Sequence, residues 1–118
     1  MNKTTYRLVR SFYLGYPDRI RNTTVSVTKW DRFVRLYHDG YKIAYRSLGS
    51  PHILSVSCGL YPTVSTFTRL NGLLNYYELP YQYNKIKLLD SKQKVIVNNV
   101  LSKWIEFDIV DKTILNVS

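Results

Sequence analysis

The chain has 118 residues, 45% of them apolar and 21% charged, which is enough for one hydrophobic core and too apolar to stay unfolded. A single Cys excludes a disulfide framework and a Cys-rich zinc site, and no apolar run reaches the roughly 20 residues of a membrane-spanning helix. Seventeen Lys and Arg against eight Asp and Glu give a net charge of +9, which points to a phosphate-bearing partner. The opening residues carry no signal-peptide core, so the chain reads as a soluble intracellular domain.

In chain order, residues 4–16 mix Tyr6, Leu8, Val9, Phe12, Tyr13 and Leu14 without a clean period, and Gly15-Tyr16-Pro17-Asp18 reads as a turn. Thr23 to Thr28 is β-branched and alternating, which predicts a strand. From Arg32 to His38 the alternation sets Phe33, Arg35 and Tyr37 on one face and Val34, Leu36 and His38 on the other. Asp39-Gly40 is a strong hairpin signal, returning the chain through Tyr41–Arg46. Ser47 to Pro51 breaks the chain, and His52 to Cys58 is a further strand.

The period then changes. Thr66, Phe67, Leu70, Leu73, Leu74 and Tyr77 recur at helical spacing, with Thr63 to Thr66 as cap candidates and Pro80 as a stop. Gly72 weakens the middle of that helix. Strands resume at 83–89 and 94–97, with a turn at Asp90-Ser91-Lys92, and Trp104 to Ile109 alternates as a last strand. These spacings predict an α+β fold: a single domain over 1–118, mostly antiparallel sheet of about six or more strands, with one short helix near 65–78 packed on it. The expected core is Val25, Val27, Val34, Leu36, Ile43, Ile53, Leu70, Leu73, Leu74 and Ile86.

Enzyme signatures are missing. There is no GxGxxG, Walker loop or HExxH, and the two His are not spaced as metal ligands. Cys58 reads as a small buried thiol at a strand end, and His38, beside a turn, as a surface ring. The expectation is a non-enzymatic protein with no catalytic residues, metal or cofactor.

Charge and aromatic content are more specific. Residues 1–59 hold ten basic against three acidic residues, including seven of the eight arginines, interleaved with Tyr13, Tyr16, Tyr37, Tyr41 and Tyr45. Arg binds phosphate bidentately and Tyr offers a stacking surface for bases. A second concentration of polar groups lies at the predicted helix start. Backbone N–H groups, the hydroxyls of Thr63, Ser65 and Thr66, and the guanidinium of Arg69 one turn on form a candidate anion seat. Arg21, Tyr41 and Arg46 are its candidate neighbours.

Four stretches together carry a resemblance over roughly residues 21–89: Arg21-Asn22-Thr23-Thr24-Val25, Gly40-Tyr41-Lys42-Ile43-Ala44, Leu54-Ser55-Val56-Ser57-Cys58-Gly59, and the box Tyr61-Pro62-Thr63-Val64-Ser65-Thr66-Phe67-Thr68-Arg69-Leu70-Asn71. They resemble a set of small tailed-phage proteins with a Y/W-x-T-x-T-T-x-x-R-L-N box. The sequence departs in having Leu60 before Tyr61, Ser65 where Thr is usual and Tyr41 where Asn is usual. The layout is also similar to the Thoeris anti-defence sponges, which capture cyclic nucleotide immune signals. That resemblance implies a homo-oligomer, ligands held between protomers, and the cytoplasm of an infected bacterial host. Two functions are therefore expected in order: a sponge for a cyclic nucleotide or other phosphate-bearing small ligand, or a nucleic-acid-binding, host-takeover module acting through the basic first half. Arginines gathered around the 63–69 helix start favour the first, and arginines spread over one broad face favour the second.

Overall fold

The computed structural model describes residues 1–118 as two helices and ten strands. Helix α1 (Lys3–Leu14) opens the chain where the sequence shows no clean period. Its buried residues, Thr5, Leu8, Val9 and Phe12, do follow helical spacing. Exposed Tyr6, Tyr13 and Leu14 blurred that stripe, because they read as core although they face outward. Asn2 caps its start by accepting from Thr5 N at 2.7 Å, and Gly15, left-handed at φ 75°, ends it.

Strands β1 (Asp18–Ile20), β2 (Thr23–Thr28), β3 (Phe33–His38), β4 (Tyr41–Ser47) and β5 (Ile53–Val56) then form an antiparallel meander. The Asp39-Gly40 hairpin is as expected, with both residues at positive φ and His38 opposite Tyr41. Helix α2 (Val64–Tyr76) follows, close to its predicted span. The segment expected as a single strand at 83–89 is instead two strands, β6 (Tyr81–Asn84) and β7 (Lys87–Asp90), in a hairpin. Ile86 sits in that turn and is exposed, not buried as expected. Strand β8 (Val95–Val97) completes a separate three-stranded sheet. Strand β9 (Ile105–Asp108) pairs with β5, and β10 (Thr113–Val117), a strand that the spacings do not predict, pairs with β9.

The large sheet therefore has seven strands in the order β1-β2-β3-β4-β5-β9-β10. One of its faces carries Val25, Val34, Leu36, Ala44, Leu54, Val56, Ile105 and Phe107, all buried in one core with Leu8, Val9 and Phe12 of α1 and Leu70, Leu73 and Leu74 of α2. Tyr83, Leu88 and Val97 of the small sheet join the same core, so both helices and the small sheet cover this face. Val27 and Ile53 are only half-buried. Gly72 is a packing device: a Cβ there would overlap Cγ2 of Thr5, so its lack of a side chain lets α1 and α2 approach. No helix is long and apolar enough to cross a membrane.

Candidate functional site

Two of the meander's turns, β1–β2 and β3–β4, are fastened to each other. Asp39 N donates to Asn22 O at 2.9 Å, and the Asn22 amide donates back to the Asp39 carboxylate. Arg21, at φ 54° in the β1–β2 turn, is thereby held beside the Asp39-Gly40 turn. On one side of these turns lies a groove of about 540 Å³ lined by Arg19, Arg21, Thr24, Tyr37 and Asp39. On the other side, a cavity of about 360 Å³ is lined by His38, Asp39, Tyr41, Ile43, Leu60 and Tyr61, with Cys58, Gly59 and Thr66 at its back. Asp39 belongs to both walls.

His38 forms the polar floor of the cavity, and only 2% of it is exposed, which overturns the expectation of a surface ring. The alternation in β3 had put it on the face of Val34 and Leu36, and that signal outweighed its place next to a turn. Its Nδ1 lies 2.7 Å from Thr23 Oγ1, and its Nε2 lies 2.8 Å from Ser65 Oγ and 3.4 Å from the Asp39 carboxylate. Arg69 Nε donates to the same Thr23 oxygen at 3.4 Å. One tautomer, assigned from these partners, satisfies them all: Thr23 gives its hydroxyl hydrogen to Nδ1, and Nε2–H faces Ser65 and Asp39. Ser65 then receives a hydrogen from the imidazole, the reverse of the transfer that activates a serine nucleophile. Burial holds the His38 pKa below its ordinary value; Asp39 opposes that shift and Arg69 adds to it.

The candidate anion seat at the helix start is not assembled as the sequence suggested. Thr63 and Thr66 form a capping box, each side chain accepting from the other's backbone N–H, so the hydroxyls serve the helix end itself. Ser65 bridges Thr63 and His38. Arg69 points away from the helix start, donating to Thr5 and Thr23, and so braces α1 and β2 against α2. No carboxylate pairs with it; burial, and then the charge of Arg21, hold its pKa below the ordinary value. Arg46 is removed altogether: it is buried under α1, donating to the carbonyl oxygens of Phe12 and Tyr13. Of the predicted set, Tyr41 and Thr66 share the cavity, Thr63 and Ser65 adjoin it by hydrogen bonds, and Arg21 lines the adjacent groove.

Cys58 is buried as expected, its thiol pushed up to about 11 by burial. A third cleft of about 510 Å³ beside α2 has Asp90 in its wall and no Arg or Lys, so it is ill-suited to an anion. No group of three or more His, Cys, Asp or Glu gathers as metal ligands would. No protein family, curated protein or solved structure matches the chain.

Proposed function

We propose that the chain is a non-enzymatic binding protein for a cyclic nucleotide, a sponge that withdraws an immune signal in the cytoplasm of an infected bacterial host. The observation that carries the reading is the shared wall at Asp39, where an aromatic-rimmed cavity meets a groove lined by two arginines. The cavity has the size and largely apolar lining of small-ligand sites. A base fits against Tyr41, Tyr61 and Ile43, ribose hydroxyls meet the Asp39 carboxylate, and phosphates reach Arg21 and Arg19. Thr63, Ser65, Thr66 and Arg69 act in this reading by holding the cavity floor rather than by touching the ligand. The exposed rim residues Leu60 and Tyr61, with exposed Val64 nearby at the start of α2, suit closure by a second copy, in keeping with a homo-oligomer.

Calorimetric titration with cyclic ADP-ribose isomers and cyclic oligonucleotides tests the reading, alongside native mass spectrometry for oligomer mass and retained ligand. Wild type should bind at least one of these compounds. Arg21→Ala should weaken binding about ten- to a hundredfold, the worth of one charge-assisted hydrogen bond, and Tyr41→Ala should weaken it too. Failure of wild type to bind any of them removes the reading; unchanged binding by Arg21→Ala moves the phosphate elsewhere.

A further inference from the structure

We propose that the open face of the seven-stranded sheet, opposite the helices, is a platform for single-stranded nucleic acid. The strand register places Arg19, Thr24, Tyr37 and Lys42 in one row across β1 to β4. The next row runs from Ser26 through Arg35 and Tyr45 to Ser55. Phe33, Tyr37, Tyr45 and Trp104 are all half-buried on this face; the rings of Phe33, Tyr45 and Trp104 form one chain of contacts, and Tyr37 stands apart beside Lys42. Tyr45 joins its neighbours edge-on, with ring centroids 5.9 Å from Phe33 and 5.1 Å from Trp104.

Cations accompany the rings. Lys42 Nζ lies 4.8 Å from the Tyr45 centroid and 5.6 Å from that of Trp104, and the Arg35 guanidinium lies 5.2 Å from that of Phe33. Aromatic pairs across strands stabilise any sheet. Pairing them with Lys and Arg on a face that no other element covers adds what a strand of nucleotides needs: a ring for each splayed base and a positive charge for the phosphate beside it. The acids on or beside this face mark its limits. Asp31 and Arg35 neutralise each other, which leaves Arg19 and Lys42 as the unpaired cations of the face; Asp39 bonds Asn22 at the hairpin tips, and Glu106 and Asp108 lie past Tyr45 on β9. The basic end therefore lies at β1 to β4. Bases stacked inside a duplex cannot reach these rings, so the occupant is a single strand.

This inference does not depend on the cavity, which lies on the other side of the sheet; its Arg19–Tyr37 end is the groove given above to the ligand's phosphates, whereas Lys42, Tyr45 and Trp104 belong to the platform alone. The test is fluorescence anisotropy with labelled oligothymidine and oligouridine of about 12 nucleotides, and a duplex of the same length, at low and physiological salt. Both single strands should bind better than the duplex, with a log–log salt slope of about −2 for roughly three phosphates neutralised; a preference between them tells DNA from RNA. Trp30→Phe leaves Trp104 as the only tryptophan, and its fluorescence should be quenched as the strand stacks. Tyr37→Ala and Lys42→Ala should each lower affinity about tenfold, whereas Tyr41→Ala in the cavity should not. The Trp104 quench, read on an intact face, serves even if the Ala variants fold poorly. No binding at low salt, a duplex bound as tightly as the single strands, or binding without a Trp104 quench overturns the proposal.

Discussion

Arg46 and Phe12 stand 34 positions apart in sequence, yet the guanidinium of Arg46 donates to the Phe12 carbonyl at 3.0 Å and 3.3 Å, and to the Tyr13 carbonyl at 2.8 Å. A buried strand cation thus satisfies the last carbonyls of α1 and meets the negative end of its dipole. Arg46→Ala should cost about 2–3 kcal/mol, the range for hydrogen bonds to a charged group. Arg46→Lys should recover only part of that, because an ammonium lacks the planar fork. Denaturant melts of the three proteins decide it, and equal stability of Arg46→Ala and wild type would refute the capping role.

His38 makes folding sensitive to mild acid. Its folded pKa lies below the ordinary 6.5, chiefly through burial. The unfolded chain therefore takes up a proton first, and stability should decline as pH falls from about 6.5 toward the folded value, with no change above that window. His38→Gln should abolish this slope. Carboxylates held low by their hydrogen bonds (Asp18 by Arg7, Asp31 by Arg35, Asp108 by backbone N–H groups) contribute stability lost only as pH falls below their ordinary 3.8. The two windows are thus separable in one series of melts.

Gly72 offers a test with the opposite sign from helix propensity. In an exposed helix Gly→Ala gains about 1 kcal/mol. Here the new methyl meets Thr5 Cγ2 at the α1–α2 contact. Gly72→Ala should therefore destabilise by about 1–3 kcal/mol. Thr5→Ser removes the opposing methyl but keeps the hydroxyl that accepts from Arg69, so the double variant should regain most of the loss. Additive losses in a double-mutant cycle would mean that the helices are spaced by something else.

The hydroxyl of Tyr83 is buried without a hydrogen-bond partner, and burial raises its pKa. Tyr83→Phe keeps the ring, 5.6 Å from Phe67, and removes only the unsatisfied oxygen. It should be neutral or stabilising by up to about 1 kcal/mol. A clear loss of stability would show that the hydroxyl has a partner.

The meander from Thr23 to Arg46 and helix α2 were legible because each carries a period, shifted in the meander only by the bulge at Ile43, and a marked boundary: β-branched alternation, Asp39-Gly40, and Thr63 opening its capping box. Helix α1 was not, because its outer face carries Tyr6 and Tyr13, whose rings lie against Tyr76 and hide the polar side of the pattern. The edge strands β1 and β10 were illegible for different reasons: β1 has only three residues, and β10, bulged between Ile114 and Asn116, exposes nearly all its residues and shows no alternation. At the candidate site, Tyr41 and Arg21 were legible as neighbours of one seat, but not the contact that sets them on either side of the Asp39 turn. The Asn22–Asp39 clasp that brings their turns together joins positions 17 apart, and nothing local announces it. Arg69 misled because spacing along a helix says which turn a side chain leaves from, not which way it reaches.

Strand β5 has one neighbour supplied at once, β4, and another supplied about fifty positions later, β9. On a ribosome, residues 18–56 can assemble as successive hairpins while 105–108 are still unmade. The free side of Ile53–Val56 then stays an open template for any passing strand, at what becomes the interior of the sheet. The segment between, with α2 and the small sheet, is the waiting time built into synthesis. Slow translation there would lengthen the interval in which nascent chains can pair with one another, so the yield of folded protein should depend on how quickly that stretch is read.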